Sequence, residues 1–331
     1  MSATPALTGP IAANTVQKWL RAWYGTGMPD AVDLDIVRQM LPSTPYGKGV
    51  REIKAPAVLD VDSCEGMLVR NPKDAAEWGI FYNGNANPER RRFTIAHELG
   101  HFILHRGRQQ RFNCDNESVH TGIDTIRAIE READEFASNL LMPGDLLRDW
   151  ISHQRIDLHV LGAIAKRFQV SFEALCIRFI KFTPQRGILV HWDNGYVKYE
   201  WRSSSAVKTR ARIRRNGDPQ EPLPGTLAGD AGVDQEWDGT EMSAAVWCTE
   251  EAPHMKLREF KHSYGARDRV LTLLLLESAE PHAWDGSWQD GDSLDALDWQ
   301  LPATQVWCSK NPTTSRRSAD AAGPRCEDQT I

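Results

Sequence analysis

The sequence lacks the features that would assign the chain to a membrane, to an oxidising compartment or to a cysteine-bound metal. No apolar run approaches the roughly 20 residues that a membrane-spanning helix needs. The first residues lack the basic-then-apolar order of a secretory signal. The six cysteines include no Cys-x-x-Cys pair, so they indicate free thiols in a reducing compartment. We therefore expect a cytoplasmic protein with no membrane partner.

The chain also lacks a strong excess of charge of either sign. Its 39 Lys and Arg residues against 45 Asp and Glu residues give a formal net charge of −6, which excludes a general attraction to nucleic acid. Apolar residues make up 41% and charged residues 25%, which is ordinary for a globular protein. A length of 331 residues is enough for two domains.

The pattern of apolar residues changes near position 184. Helices are predicted over 14–24, 33–41, 89–105 and 124–141, with two or three more in 144–182, and strands over 50–54, 66–70 and 78–83. Asn14 is the expected N-cap of the first helix, and residues 107–124 are predicted to be irregular. Beyond position 184 the runs are strand-like, and the apolar run 271–276 is predicted to be a buried strand.

We therefore predict an α+β fold with two domains and a tail. The first domain, 1–184, combines helical parts at about 14–47 and 144–182 with a part at about 48–143 that carries a small sheet packed on a helix. A β-rich and tryptophan-rich second domain is predicted over 185–310, because eight of the twelve tryptophans lie beyond position 184. Residues 311–331 are rich in small and charged side chains and are predicted to be disordered.

The most informative feature is the pentapeptide that begins at His97 and ends at His101. Two histidines four residues apart share one face of a helix, so both imidazoles can reach one zinc ion. Glu98 can then take a proton from a water held at the ion. Gly100 costs the helix about 1 kcal/mol relative to alanine, which suggests that another element packs closely against it. The alternative interpretation is a surface helix with two solvated histidines.

A catalytic zinc site needs a third protein ligand, and the next helix offers one. Glu130 and Asp134 are four residues apart and share a face. Glu130 can bind the metal, and Asp134 can accept a hydrogen bond from a ligand histidine and fix its tautomer. Glu132 competes with Glu130 but points about 160° away from that face. A surface helix with salt bridges is the alternative interpretation of these acids.

His105 lies eight residues after His97, on the same face as both histidines. Metzincins place their third histidine ten residues after the first, and that position is Gly107 here. We therefore expect His105 to lie behind the ligands or in the core rather than on the metal. Tyr82 and His105 are also candidates for stabilising an oxyanion.

Two blocks of sequence carry a family resemblance. They are residues 92–105 and the later series Glu130, Asp134, Phe136, Ala137, Leu140, Leu141, Met142 and Pro143. Over about 15–182 the chain resembles the ImmA/IrrE family of bacterial metallopeptidases, although the family usually has asparagine at the position of Asp134. The resemblance implies a zincin-like domain with a thermolysin-like site. It implies that His97, His101 and Glu130 bind Zn²⁺, with Mn²⁺ as an alternative, and that Glu98 is the catalytic acid and base.

The resemblance also implies a protein substrate, a repressor of the helix-turn-helix type whose cleavage activates stress or mobile-element genes. The second domain would then sense a signal or select a partner. A rival interpretation is a zinc protein that sequesters a repressor or toxin without cleaving it. Glu98 favours catalysis, because a structural site needs no base and normally closes with a fourth ligand. A DNA-binding regulator is a third interpretation.

Other segments admit functional interpretations. Residues 161–178 have helix-turn-helix spacing, but their second half lacks the basic cluster of a recognition helix, so we expect packing instead. The basic segment 208–215, from Lys208 to Arg215, is a candidate for nucleic-acid binding, although a solvated strand or loop is expected. Residues 78–83 are either an edge strand to which substrate adds or an internal strand. Cys114 is either a redox-sensitive thiol or, as we expect, a passive one.

Overall fold

The computed structural model describes residues 7–59, 64–115, 124–264 and 268–280. Within these ranges, no helix combines the length and the apolar character that crossing a membrane requires. The predicted tail at 311–331 and the part of the predicted second domain beyond residue 280 lie outside the described residues.

Helices and a first sheet make up the chain before residue 184. The elements are α1 (Gly9–Tyr24), α2 (Leu34–Met40), β1 (Glu52–Ile53), β2 (Ala57–Leu59), β3 (Cys64–Arg70), β4 (Glu77–Asn83), α3 (Pro88–Leu104), β5 (Arg111–Asp115), α4 (Asp124–Leu141), α5 (Gly144–Ser152), α6 (Leu158–Phe168) and α7 (Phe172–Phe182). The mixture of helices and sheet confirms the predicted α+β class.

Helix α1 begins earlier than the sequence pattern predicts. Its N-cap is Thr8 rather than Asn14, and Pro10 lies in the first turn, where its missing N–H would have no helical partner in any case. The predicted end is confirmed, since Gly25 leaves the helix with a φ of 60° that other residues rarely adopt. Helix α2 begins at Leu34, one residue after the predicted start, because Asp33 is its N-cap.

The first sheet has the strand order β1-β4-β3-β5, and β2 also pairs with β4. Strand β4 is therefore internal, and the interpretation of 78–83 as an edge strand is wrong. The described edge beside β3 is β5, which lies within the segment 107–124 that was predicted to be irregular. Polar residues occupy most positions of β5, so its strand character depends on the ladder with β3 rather than on its own pattern.

Helix α3 lies between this sheet and α4. On the sheet side, the rings of Trp78 and Phe102 meet edge to face with centroids 5.9 Å apart. On the other side, a Cβ added at Gly100 would lie 3.1 Å from atoms of Ala133 and Phe136 of α4. The close approach that Gly100 suggested is therefore present, and it brings the side chains of α3 and α4 together.

A second sheet follows residue 184. Its elements are β6 (Arg186–Asp193), β7 (Tyr196–Arg202), α8 (Ser204–Lys208), β8 (Gln235–Ser243), α9 (Ala244–Trp247), β9 (Lys256–Ser263) and β10 (Arg269–Leu276). The strand order is β7-β6-β10-β9-β8, with antiparallel pairing throughout. Strand β10 occupies the centre, which confirms that the apolar run 271–276 is a buried strand.

One apolar core extends from the helices to a face of the second sheet. Phe168 of α6 and Leu273 of β10 belong to the same buried cluster. A separate cluster around Trp247 covers the opposite face of that sheet. Because the first core joins both parts of the chain, the division into 1–184 and 185–310 stays a prediction.

Helix α7 is packed into this core rather than presented to solvent. Seven of its eleven residues are buried. Among them, Oε1 of Glu173 lies 2.5 Å from Nδ1 of His191. Arg178 donates a hydrogen bond to the carbonyl oxygen of Met142 at 3.0 Å. A recognition helix must expose its side chains to the major groove. The structure therefore gives α7 a packing role, as the lack of a basic cluster indicated.

Candidate metal centre

Helices α3 and α4 bring three potential ligands to one point. The Nε2 atoms of His97 and His101, one turn apart on α3, are 2.9 Å from each other. From α4, Oε2 of Glu130 lies 3.2 Å from Nε2 of His97, and Oε1 lies 3.4 Å from Nε2 of His101. In the described part of the chain, this is the group of three His, Cys, Asp or Glu residues whose donor atoms all lie within 4.8 Å of one another.

These separations suit one tetrahedral metal ion. Two donor atoms that are each about 2.0–2.1 Å from a tetrahedral zinc ion lie about 3.3 Å apart. The two Nε2 atoms are 2.9 Å apart, and the two oxygens of Glu130 lie 3.2 Å from one of them and 3.4 Å from the other. Two imidazoles and one carboxylate are also the donor set of catalytic zinc sites, which keep a fourth position open. The residues present therefore fit the ion that the sequence implies.

The centre is buried, and the pKa values of its two histidines are shifted in opposite directions. Burial alone would lower the pKa of His97, but the carboxylates of Asp134 and Glu130 raise it well above the usual value. Burial lowers the pKa of His101 to about 4. Burial would raise the pKa of Glu130, but hydrogen bonds from His101 and His97 hold it well below the usual range. A neutral His101 and an ionised Glu130 are the protonation states in which these groups bind a metal.

Each of the two histidines has a partner at its second ring nitrogen. Nδ1 of His97 lies 2.7 Å from Oδ1 of Asp134, the kind of contact that the sequence predicts for Asp134. Nδ1 of His101 lies 3.0 Å from Nδ1 of His105. His105 is therefore behind the histidine pair rather than in the group of converging donors, as its spacing suggested.

Glu132 is a site residue whose position the sequence pattern did not predict. Its Oε2 lies 2.8 Å from Nε2 of His105. A helical wheel of α4 places Glu132 on a different face from Glu130. It does not show which face of α4 the end of α3 approaches. Since His105 is the C-cap of α3, it meets Glu132 beyond the last turn of that helix. Two facts in the sequence could have indicated this contact. A buried His105 needs hydrogen-bond partners, and Glu132 is an acidic residue on the next helix.

Two strands of the first sheet form walls of the centre. The ring of Phe112 on the edge strand β5 stacks on His101, with centroids 4.7 Å apart and planes inclined by 17°. On β3, a Cβ added at Gly66 would lie 2.6 Å from Oε1 of Glu98 and would also collide with Thr94. A glycine inside a strand often marks such a close approach, so the sequence did contain an indication of this contact.

The remaining sequence candidates do not gain a role from the geometry. Tyr82 pairs in register with Gly66 and so lies on the same sheet face, where it remains a candidate for oxyanion stabilisation. The side chain of Cys114 lies outside the described residues. In the segment 208–215, buried Ala211 and Ile213 alternate with exposed basic residues, which agrees with the expected solvated segment. Nucleic-acid binding by that segment stays a prediction.

The chain resembles known proteins in sequence and in structure. Residues 60–179 match the model of the IrrE N-terminal-like domain. Over 105 residues the chain is 31% identical to the radiation response metalloprotease IrrE of Deinococcus radiodurans, in a match that spans 32% of this chain and 31% of that protein. The chain thus matches about a third of the length of this curated relative.

A solved structure of a Mycobacterium tuberculosis transcriptional regulator superposes with a TM-score of 0.43 and 15% identity, over 80% of this chain and 74% of that chain. The match to the IrrE N-terminal-like domain is the informative one, because it includes both the histidine pair of α3 and the acidic residues of α4. Over residues 60–179, the chain is similar to the ImmA/IrrE family of metallopeptidases.

Proposed function

We propose that the chain is a zinc-dependent endopeptidase that hydrolyses a peptide bond in a regulatory protein, a repressor of the helix-turn-helix type. The observation that supports this most strongly is the convergence of His97, His101 and Glu130 at one point, with Glu98 fully buried on the same helix. The packing of α3 between a small sheet and α4 supports a zincin-like fold for this part of the chain.

The residues of the centre divide the chemistry among them. A bound zinc ion supplies Lewis acidity, which polarises a carbonyl oxygen and makes water acidic enough for activation near neutral pH. Glu98 takes the proton of the attacking water and later passes it to the leaving amine. Asp134 holds the ring of His97 in position, and His105 holds the ring of His101, each by a contact with the Nδ1 atom of that ring.

We place the substrate along the edge strand β5. An extended peptide can add to a sheet edge through main-chain hydrogen bonds. Strand β5 is the described edge on the β3 side of the first sheet, and its Phe112 covers the ring of His101. A peptide paired with β5 would therefore run beside a metal ligand.

A cleavage assay with the full chain tests the proposal. The zinc-loaded protein is incubated with helix-turn-helix repressors, beginning with any repressor encoded beside its gene, and product termini are found by mass spectrometry. We expect cleavage at one internal bond, loss of cleavage after chelation, and recovery with one equivalent of Zn²⁺ or Mn²⁺. Cleavage that survives removal of the metal would contradict the mechanism. Cleavage of unrelated proteins but of no repressor would contradict the substrate class.

Gly66→Ala is expected to impair catalysis more than stability. The added Cβ would lie 2.6 Å from Oε1 of Glu98, so the carboxylate must move. A displacement of this size lowers kcat by about 10²-fold, and overpacking lowers the free energy of unfolding by about 1–3 kcal/mol. Steady-state kinetics and denaturant titration measure the two effects, and zinc content should not change.

Gly107→Ala is the matched control, because a Cβ at Gly107 would have no atom within 4 Å. Its kcat should equal that of the wild type, and its free energy of unfolding should not fall. A Gly66→Ala protein that is destabilised but keeps its full kcat would show that β3 does not position Glu98.

A further inference from the structure

Three side chains behind the metal centre form a continuous line of contacts. Nδ1 of His101 lies 3.0 Å from Nδ1 of His105, and Nε2 of His105 lies 2.8 Å from Oε2 of Glu132. Nε2 of His101 lies at the opposite side of its ring, 2.9 Å from Nε2 of His97. The line thus runs from a carboxylate on α4 through one imidazole to the ring that faces the centre.

We propose that Glu132, acting through His105, is a positioning residue that fixes His101 in the tautomer with its proton on Nδ1 and its lone pair on Nε2. This inference rests on the proposed function, since it takes His101 to be a metal ligand. It assigns a role to Glu132, which the helical pattern had placed away from the site.

The hydrogen-bond inventory of the three groups gives the direction of the line. An ionised carboxylate only accepts, so Glu132 takes the N–H of His105 at Nε2. A neutral imidazole has one N–H, so Nδ1 of His105 is then an acceptor. The short contact between the two Nδ1 atoms therefore places the proton on His101. Nε2 of His101 keeps its lone pair, as binding to a metal requires.

Burial excludes water as an alternative hydrogen-bond partner of these two rings. The side chains of His101 and His105 are both fully buried, so water cannot substitute for either partner. The side chain of Glu132 is 40% exposed, so the line of contacts ends at the surface of the protein.

Acidic residues of α4 thus orient both histidines of the centre, one by direct contact and the other through a third residue. Asp134 contacts Nδ1 of His97 directly at 2.7 Å, whereas Glu132 reaches His101 through His105. Helix α4 then supplies one acid to the metal and two acids to the ligand rings. Both nitrogens of His105 have partners in this arrangement, which explains why His105 is not itself a ligand.

Zinc affinity of full-length variants tests the inference without any substrate. Competition with a chromogenic chelator at one pH gives the Kd. We expect Glu132→Ala to weaken zinc binding by about 10–100-fold, the usual effect of removing a partner of a ligand histidine. Glu132→Gln keeps an oxygen that can accept from His105, so it should recover most of the affinity. Glu135→Ala, a change on the same helix, should bind zinc like the wild type.

Three comparisons separate positioning from a general effect of charge. If Glu132 acts only by its negative charge, Glu132→Gln will bind zinc as weakly as Glu132→Ala, and the inference is wrong. In the Co²⁺-substituted protein, the visible spectrum should shift in Glu132→Ala and remain unchanged in Glu135→Ala. In a His105→Leu background, Glu132→Ala should cause little further loss, because leucine can neither donate to Glu132 nor accept from His101. An equal loss in both backgrounds overturns the inference.

These outcomes are independent of the proposed peptidase activity. A wild-type chain that binds no zinc would remove the proposed function itself. A wild-type chain that binds zinc, with a Glu132→Ala variant of equal affinity, would remove only the role of Glu132.

Discussion

Glu98→Gln is expected to abolish peptide cleavage while the zinc content stays at that of the wild type. Glutamine has nearly the same shape and fits the space beside Gly66, where no extra atom is tolerated. It cannot take the proton of the attacking water, and loss of a general base lowers kcat by about 10²–10⁴-fold. Cleavage rate and elemental analysis of the same preparation give the two quantities.

Glu89→Gln is the matched control, because Glu89 lies in the first turn of the same helix α3. It should cleave at the wild-type rate. Full cleavage by Glu98→Gln would contradict the assignment of Glu98 as base. Loss of zinc from that variant would instead make Glu98 a part of the metal site. A variant that still relieves repression in cells without cleaving would favour the rival, in which the protein sequesters its partner.

Glu130→Gln is expected to lose zinc. Its two carboxylate oxygens lie 3.2 and 3.4 Å from the Nε2 atoms of His97 and His101, so it completes the group of three donors. An amide oxygen carries no charge, and two imidazoles alone bind zinc weakly. Since changes behind the ligands already cost about 10–100-fold, loss of a ligand should weaken zinc binding by more than about 100-fold. Dialysis against a chelator followed by elemental analysis measures the loss.

Glu135→Gln makes the same change on the same helix and should retain zinc. Its circular dichroism and that of Glu130→Gln should match the wild type, which separates loss of metal from loss of fold. A Glu130→Gln protein that still holds one zinc ion per chain with wild-type affinity would show that the third ligand is another residue.

Local interactions explain what could be predicted from sequence. The bounds of α3 follow from its apolar period and its N-cap Asn87, whose Oδ1 accepts from the N–H of Arg90 at 2.7 Å. The histidine pair and the spacing of Glu130 and Asp134 are likewise properties of single helices. The structure places these four side chains together, and their roles remain those that we propose.

Contacts between distant segments explain what could not. The strand β5 exists through its ladder with β3, more than forty residues earlier in the chain. Its edge position, and the internal position of β4, depend on pairings that no local pattern specifies. The meeting of Glu132 with His105 and that of Gly66 with Glu98 depend in the same way on how separate elements pack. The second sheet was predicted as β-rich, but its strand order was not.

The central claim is that one metal ion is held by two imidazoles and one carboxylate. Zinc K-edge X-ray absorption on the zinc-loaded full chain tests this most directly. We predict nitrogen and oxygen neighbours alone around the zinc ion, at about 2.0–2.2 Å, with multiple scattering from two imidazole rings. In Glu130→Gln the same spectrum should show the ligand set lost or replaced. A sulfur neighbour at about 2.3 Å, or scattering from three imidazoles, would contradict the account.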